Sequence, residues 1–175
     1  MVNVNEPTCV FDAEKFKSFC DHNSVEFPSA YVDYLMAHND ADLEPNIIQH
    51  SENDYYVRYF YGTTGEDYSD ISMIYEWYAN RLPHKCVPIA DPDFGDLICM
   101  SLDNKTYGKV YFWNHETMDT EDGEICSLQL EDMIFLANSF NEFLEQIIAA
   151  PLEGEDNQRK VPRFIACVRK LFGKT

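Results

Sequence analysis

Cys86–Trp113, CVPIADPDFGDLICMSLDNKTYGKVYFW, is the stretch whose reading decides the fold. It holds three apolar runs, 86–90, 97–102 and 109–113, of the β-branched and aromatic character that strands favour. The links between them are Asp91-Pro92-Asp93-Phe94-Gly95-Asp96 and 103–108, both rich in turn-forming residues. A parallel crossover needs about a dozen residues or more, so links this short predict an antiparallel meander. Gly95 and Gly108 permit the tight turns, and Tyr111, Phe112 and Trp113 pack the sheet.

Helices are predicted on both sides of the meander. Upstream, Asp12 is placed to cap a helix with Phe16, Phe19 and Cys20 on one face. Pro28 suits the first turn of a second helix, with Tyr31, Tyr34, Leu35 and His38 on one face. Asn39-Asp40 reads as its stop, because Asn tolerates the left-handed conformation. Tyr55–Tyr61 reads as a strand ended by Gly62, and 62–69 as a polar, flexible connection. Asp70 is placed to cap a third helix with Ile71, Ile74, Tyr75 and Tyr78 on its buried stripe, closed by Pro83. Downstream, 116–124 reads as an acidic surface loop and Ile125–Leu130 as a short strand. Met133–Ala137 reads as a last strand. Ser139-Phe140-Asn141-Glu142 then forms a capping box opening a helix to Ala149, packed through Phe140, Phe143, Leu144, Ile147 and Ile148. One helix over 131–149 is the competing reading; the cap favours the split.

The expected architecture is a single α+β domain over 1–150, a mixed, mostly antiparallel central sheet packed by helices. Residues 151–175 follow as a polar linker and a basic amphipathic C-terminal helix. The length of 175 residues suits one core, and 45% apolar with 14% aromatic residues suffices to build it. No apolar run is long enough to span a membrane, and Met1–Pro7 lacks the pattern of a signal peptide. Six cysteines, Cys9, Cys20, Cys86, Cys99, Cys126 and Cys167, are scattered without a CxxC. Three disulfides are conceivable from the even count, but a chain with this core does not need them, and free thiols in a reducing cytoplasm are the reading preferred.

The formal charge is -18 and unevenly spread. Residues 155–175 carry six basic residues against two acids, a net of +4, which leaves -22 on the rest. A body this acidic repels nucleic acid and attracts a basic protein surface, although acidity also simply provides solubility. The basic terminal helix has two readings, docking on this acidic body or lying on an anionic membrane; charge complementarity favours the first.

Catalytic chemistry has one candidate constellation, Asp91, Asp93 and Asp96 with His115 and Glu116, which could hold a metal or do acid–base work. Turn formation already explains these residue types. No nucleophile elbow and no phosphate-cradling glycine loop is present. No enzyme activity, cofactor or metal is therefore expected.

Four features in order resemble the SUKH superfamily of Smi/Knr-type proteins. They are Phe27-Pro28 with Tyr31, Tyr34-Leu35 and Asn39; Pro88-Ile89-Ala90, a turn with Gly95-Asp96, and Leu97-Ile98-Cys99-Met100; Gly108 through Glu116; and Leu136-Ala137-Asn138-Ser139-Phe140 with Phe143-Leu144. Asp40 stands where the family usually shows Gly, and the basic segment after 158 lies outside the pattern. The resemblance implies a cytoplasmic immunity protein that binds a cognate toxin, often a nuclease, and it transfers no catalytic residues. The partner-binding residues expected from charge are Glu66, Asp67 and Asp70 on one loop and Glu116, Asp119, Glu121, Asp122 and Glu124 on another. A regulatory or scaffold interaction module of the same fold is the alternative, and exposed aromatic strands leave a homodimer open.

Overall fold

Asp12 Oδ1 accepts from the backbone N–H groups of Glu14 and Lys15 at 3.0 and 2.9 Å, satisfying two donors that open helix α1, Ala13–Asn23. The computed structural model describes residues 3–4, 6–7, 9–44, 46–50, 53–92, 95–115 and 129–148. Pro28 precedes α2, Ser29–His38, whose Tyr31 and Leu35 are wholly buried. The left-handed residue that stops α2 is Asp40 at φ 56°, not Asn39, which is at φ -57°. Asp40 stops the helix without a glycine, since a short polar side chain tolerates this conformation.

Two-residue strands β1, Asn3–Val4, and β2, Leu43–Glu44, pair with each other. The strand predicted over 55–61 is divided. Strand β3, Ile47–His50, forms an antiparallel pair with β4, Asn53–Tyr56, while Tyr59–Phe60 is β5 of another sheet. The break has a local cause. Val57 N–H donates to Asn46 and Arg58 N–H donates to Asp91, both at 2.8 Å, so the backbone changes partners between neighbouring residues.

Helix α3, Ile71–Tyr78, starts at Asp70 as expected. The meander is as read: β6, Cys86–Asp91, β7, Leu97–Ser101, and β8, Val110–Trp113, pair antiparallel in sequence. Gly95 and Gly108 sit at φ 86° and 80° in the turns. With β9, Ile134–Ala137, they build a five-stranded antiparallel sheet in the order β5-β6-β7-β8-β9. Successive side chains of β8 point to opposite faces. Phe112 packs on Tyr55 of β4 at 4.3 Å between centroids, and Trp113 on Tyr78 of α3 at 5.5 Å. The sheet therefore lies between the β3–β4 hairpin on one side and α3 on the other.

Ser139 caps α4, Phe140–Gln146, accepting from Glu142 N–H at 3.2 Å. The carboxylate of Glu142 reaches Asn138 N–H at 2.9 Å, so the box closes one residue before Ser139. The split into strand and helix holds, but the helix is shorter than expected. Ile147 turns extended at φ -73°, ψ 118°, and Ile147–Ile148, β10, pair with Ile48 and Ile47 of β3. Two adjacent β-branched residues favour that outcome. Helix α4 joins α2 and β5 through an aromatic cluster: Tyr31, Tyr34 and Phe60 all pack on Phe140, at 5.1, 5.5 and 5.3 Å.

Of the predicted 125–130 strand, Gln129 caps and Leu130 opens a 3-10 turn, Leu130–Asp132, instead; residues 125–128, the 116–124 loop and the C-terminal helix lie outside the described residues. Cys9, Cys20, Cys86 and Cys99 are free thiols. Among the described residues no helix is long and apolar enough to cross a membrane.

Candidate partner-binding site

Residues 62–69, read from sequence as a flexible connection, are held closed at both ends. Gly62 N–H donates to Ser69 at 3.1 Å and Ile71 N–H to Gly62 at 2.8 Å. Asn39, 1% exposed, clamps the next residue: its Oδ1 accepts from Thr63 N–H at 3.0 Å and its Nδ2 donates to Thr63 O at 3.4 Å. The clamp needs glycine beside it, because a Cβ at Gly62 would stand 2.0 Å from Asn39 Oδ1. Thr63 Oγ1 in turn accepts from Asp12 N–H at 2.7 Å, tying the loop to the start of α1.

Asp70 closes the other end. One carboxylate oxygen accepts from Ser72 N–H at 3.1 Å; the other takes Gly65 N–H at 3.0 Å and Lys15 Nζ at 2.6 Å. Burial pushes this carboxyl up, but the Lys15 ammonium and the two backbone donors outweigh it, and the group sits below its ordinary range. At 0% exposure Asp70 is out of a partner's reach. This corrects its assignment as a contact residue: the charge is spent inside, on the loop and on Lys15. Glu66 and Asp67, by contrast, are exposed at the loop tip, as expected. Glu116, Asp119, Glu121, Asp122 and Glu124 lie outside the described residues.

Beside this loop opens a cleft of about 370 Å³, bounded by α3, β5, β6 and the start of β7. Tyr68 and Trp77 form its rim and are 61% and 52% exposed. Tyr59 and Tyr61, both buried, line its inside and meet edge to face at 5.9 Å. The Tyr59 hydroxyl donates to Tyr68 O at 3.2 Å, which fixes the rim to the sheet. Burial first, and Asp91 second, push the hydroxyls of Tyr59 and Tyr61 well up, so both stay neutral.

Three charged residues share the lining. Arg58 lies with its guanidinium carbon 5.4 Å above the Tyr59 ring and its Nη1 3.5 Å from Asp91. Asp96 Oδ1 accepts from His115 N–H at 3.1 Å and meets His115 Nδ1 at 2.6 Å. The turn constellation is thus split into two separate pairs, Asp91 with Arg58 and Asp96 with His115, while Asp93 and Glu116 lie outside the described residues. Among the described residues no group of three His, Cys, Asp or Glu is placed to hold a metal ion.

The sequence reading missed Tyr68 and Trp77. A signal was available for Trp77: it falls off the Ile71, Ile74, Tyr75, Tyr78 stripe of α3, where a large aromatic has no core to fill. Tyr68 is an aromatic within an otherwise polar loop.

Comparison with known proteins agrees with this architecture. The model of the SMI1 / KNR4 family (SUKH-1) matches residues 12–146, from the cap of α1 to the end of α4. A similar protein is the SPbeta prophage-derived uncharacterized protein YokK of Bacillus subtilis (strain 168), 32% identical over 96 residues. The match covers 55% of this chain and 43% of that relative, so the chain spans less than half of the relative's length. The resemblance read from the meander and its flanking helices is therefore confirmed: the chain belongs to the SMI1/KNR4 family, SUKH-1.

Proposed function

We propose that this protein is an immunity protein, an antitoxin that binds and neutralises a cognate toxin with a basic, nuclease-type domain. The observation that carries the reading is the pinned loop 62–70, which presents Glu66 and Asp67 next to the exposed aromatics Tyr68 and Trp77. A surface fixed in advance loses little conformational freedom on binding. Exposed Tyr and Trp are the residue types that dominate interface energies. A nuclease needs a cationic groove to hold phosphate, and a body of this charge is drawn to such a groove and covers it without doing chemistry. The prophage origin of the relative is compatible with an immunity role. Four free thiols suit action in a reducing cytoplasm.

The test is affinity capture from lysate of the source cells at low and high salt, with mass spectrometry of what is retained. The reading predicts a basic toxin domain held at low salt and weakened at high salt. Retention of neutral regulatory proteins alone, insensitive to salt, would instead favour a scaffold role.

A further inference from the structure

The cleft has a more specific chemistry than a general acidic face. Its volume, about 370 Å³, lies at the small end for binding pockets and suits one long side chain. Its rim and lining are aromatic, through Tyr59, Tyr61, Tyr68 and Trp77. Its charged lining is two carboxylates, Asp91 and Asp96, against one guanidinium, Arg58. Asp91 Oδ2 meets Arg58 Nη1, and Asp96 takes both of its His115 contacts through the single oxygen Oδ1, while a carboxylate offers about four acceptor positions.

This end of the molecule already places arginines on aromatic faces. Arg58 lies over Tyr59 at 5.4 Å, and Arg81 lies over Trp113 at 4.9 Å and over Tyr78 at 5.7 Å. A guanidinium is planar and weakly hydrated, stacks on such rings and pairs with carboxylates. Apolar walls with carboxylates beside them match that side chain: its stem packs on the rim, and its head reaches the acids.

Resting on the reading that this face receives a basic protein, we propose that the cleft accepts one arginine side chain of the partner, stacked at Tyr68 and Trp77 with its guanidinium directed to Asp91 and Asp96. The cleft then sets which toxin is recognised, and the acidic loop sets how fast it arrives.

The proposal is tested without any toxin, by NMR titration of the full chain with N-acetylarginine methylamide and with its neutral isostere N-acetylcitrulline methylamide. Trp77 and Trp113 are the two tryptophans, so the indole signals are few and separable. The expected result is a saturable shift of the Trp77 indole and of the Gly95 amide with the arginine compound, and at least about tenfold weaker binding of the citrulline compound. Tyr68→Ala and Trp77→Leu, both at exposed positions, should keep the wild-type melting temperature. Each should weaken the arginine compound about fivefold, the size of an exposed cation–π contact, read at Gly95. Equal response to citrulline, shifts scattered over the surface, or no saturable shift in the cleft would each overturn it. A captured basic toxin with a silent cleft would sink this proposal and leave the immunity reading standing; a responsive cleft with no toxin found would do the reverse.

Discussion

Replacing Asp70 should destabilise the protein far more than replacing either acid beside it. In Asp70→Ala the N-cap of α3 is lost, which costs about 1 kcal/mol. The charge-assisted bond from Gly65 N–H goes as well, worth about 1.5–3 kcal/mol for a charged acceptor. The Lys15 pair adds little, about 0.5 kcal/mol, because Lys15 is 40% exposed and water takes over its ammonium. These effects share one carboxylate and do not add fully, so the expected loss is about 3 kcal/mol. Asp70→Asn keeps a good capping residue and should lose roughly half of that. Urea unfolding at neutral pH reads the difference as a lower midpoint at unchanged slope. The carboxyl is held below its ordinary range in the folded state, so its charge contributes stability above the unfolded value of about 3.9, and that contribution fades as pH falls through the folded value. The gap between wild type and Asp70→Asn should therefore narrow on acidification below about pH 4. A loss under about 0.5 kcal/mol for Asp70→Ala, the size of an ordinary surface change, would refute the claim that this carboxylate organises the loop.

Three further outcomes follow from the same geometry. Gly62→Ala places a Cβ on the Asn39 amide and should cost about 1–3 kcal/mol as the clamp is pushed aside; an unchanged melting curve would contradict the clamp. Charge reversal in the double variant Glu66→Lys, Asp67→Lys should leave stability unchanged but slow association with the toxin about tenfold at low salt. That difference should close toward about 1 M salt, where the screening length is near 3 Å, as surface-plasmon kinetics would show. Burial, with the charge of Asp21, pushes the Cys20 thiol up to about 11, and burial with the Cys86 contact pushes the Cys99 thiol well above its ordinary value. Iodoacetamide at pH 8 should therefore label both slowly in the native state and fully in urea, by peptide mapping.

What could be read from the sequence was chemistry confined to neighbouring residues. The caps at Asp12, Asp70 and Ser139 announce themselves within three positions, and the meander follows from the shortness of its links. What escaped depends on distant partners. Strand β3 is four residues with only two apolar ones, Ile47 and Ile48, and its partner β10 lies about a hundred residues further on. Periodicity alone carried Ile147 and Ile148 into the helix, since their spacing from Phe143 and Leu144 fits a helical face. The site shows the same division. The exposure of Glu66 and Asp67 was legible from a polar loop. Asp70 looked the same by charge; its cap was legible locally, but the closure onto Gly65 and the approach of Lys15, 55 residues away, which bury it, were not. Tyr68 and Trp77 gain meaning because β5 and β6 stand behind them, a juxtaposition no local pattern encodes.

Neutralisation itself is the central claim, and a protection assay reaches it most directly. The captured toxin domain would be induced in a heterologous host carrying the wild-type protein, the Glu66→Lys, Asp67→Lys double variant, or an empty vector, and growth followed at matched expression. The account predicts full growth with wild type, arrest with the empty vector, and protection impaired in the double variant although it folds normally. Arrest in the presence of wild-type protein that demonstrably binds the toxin would contradict it.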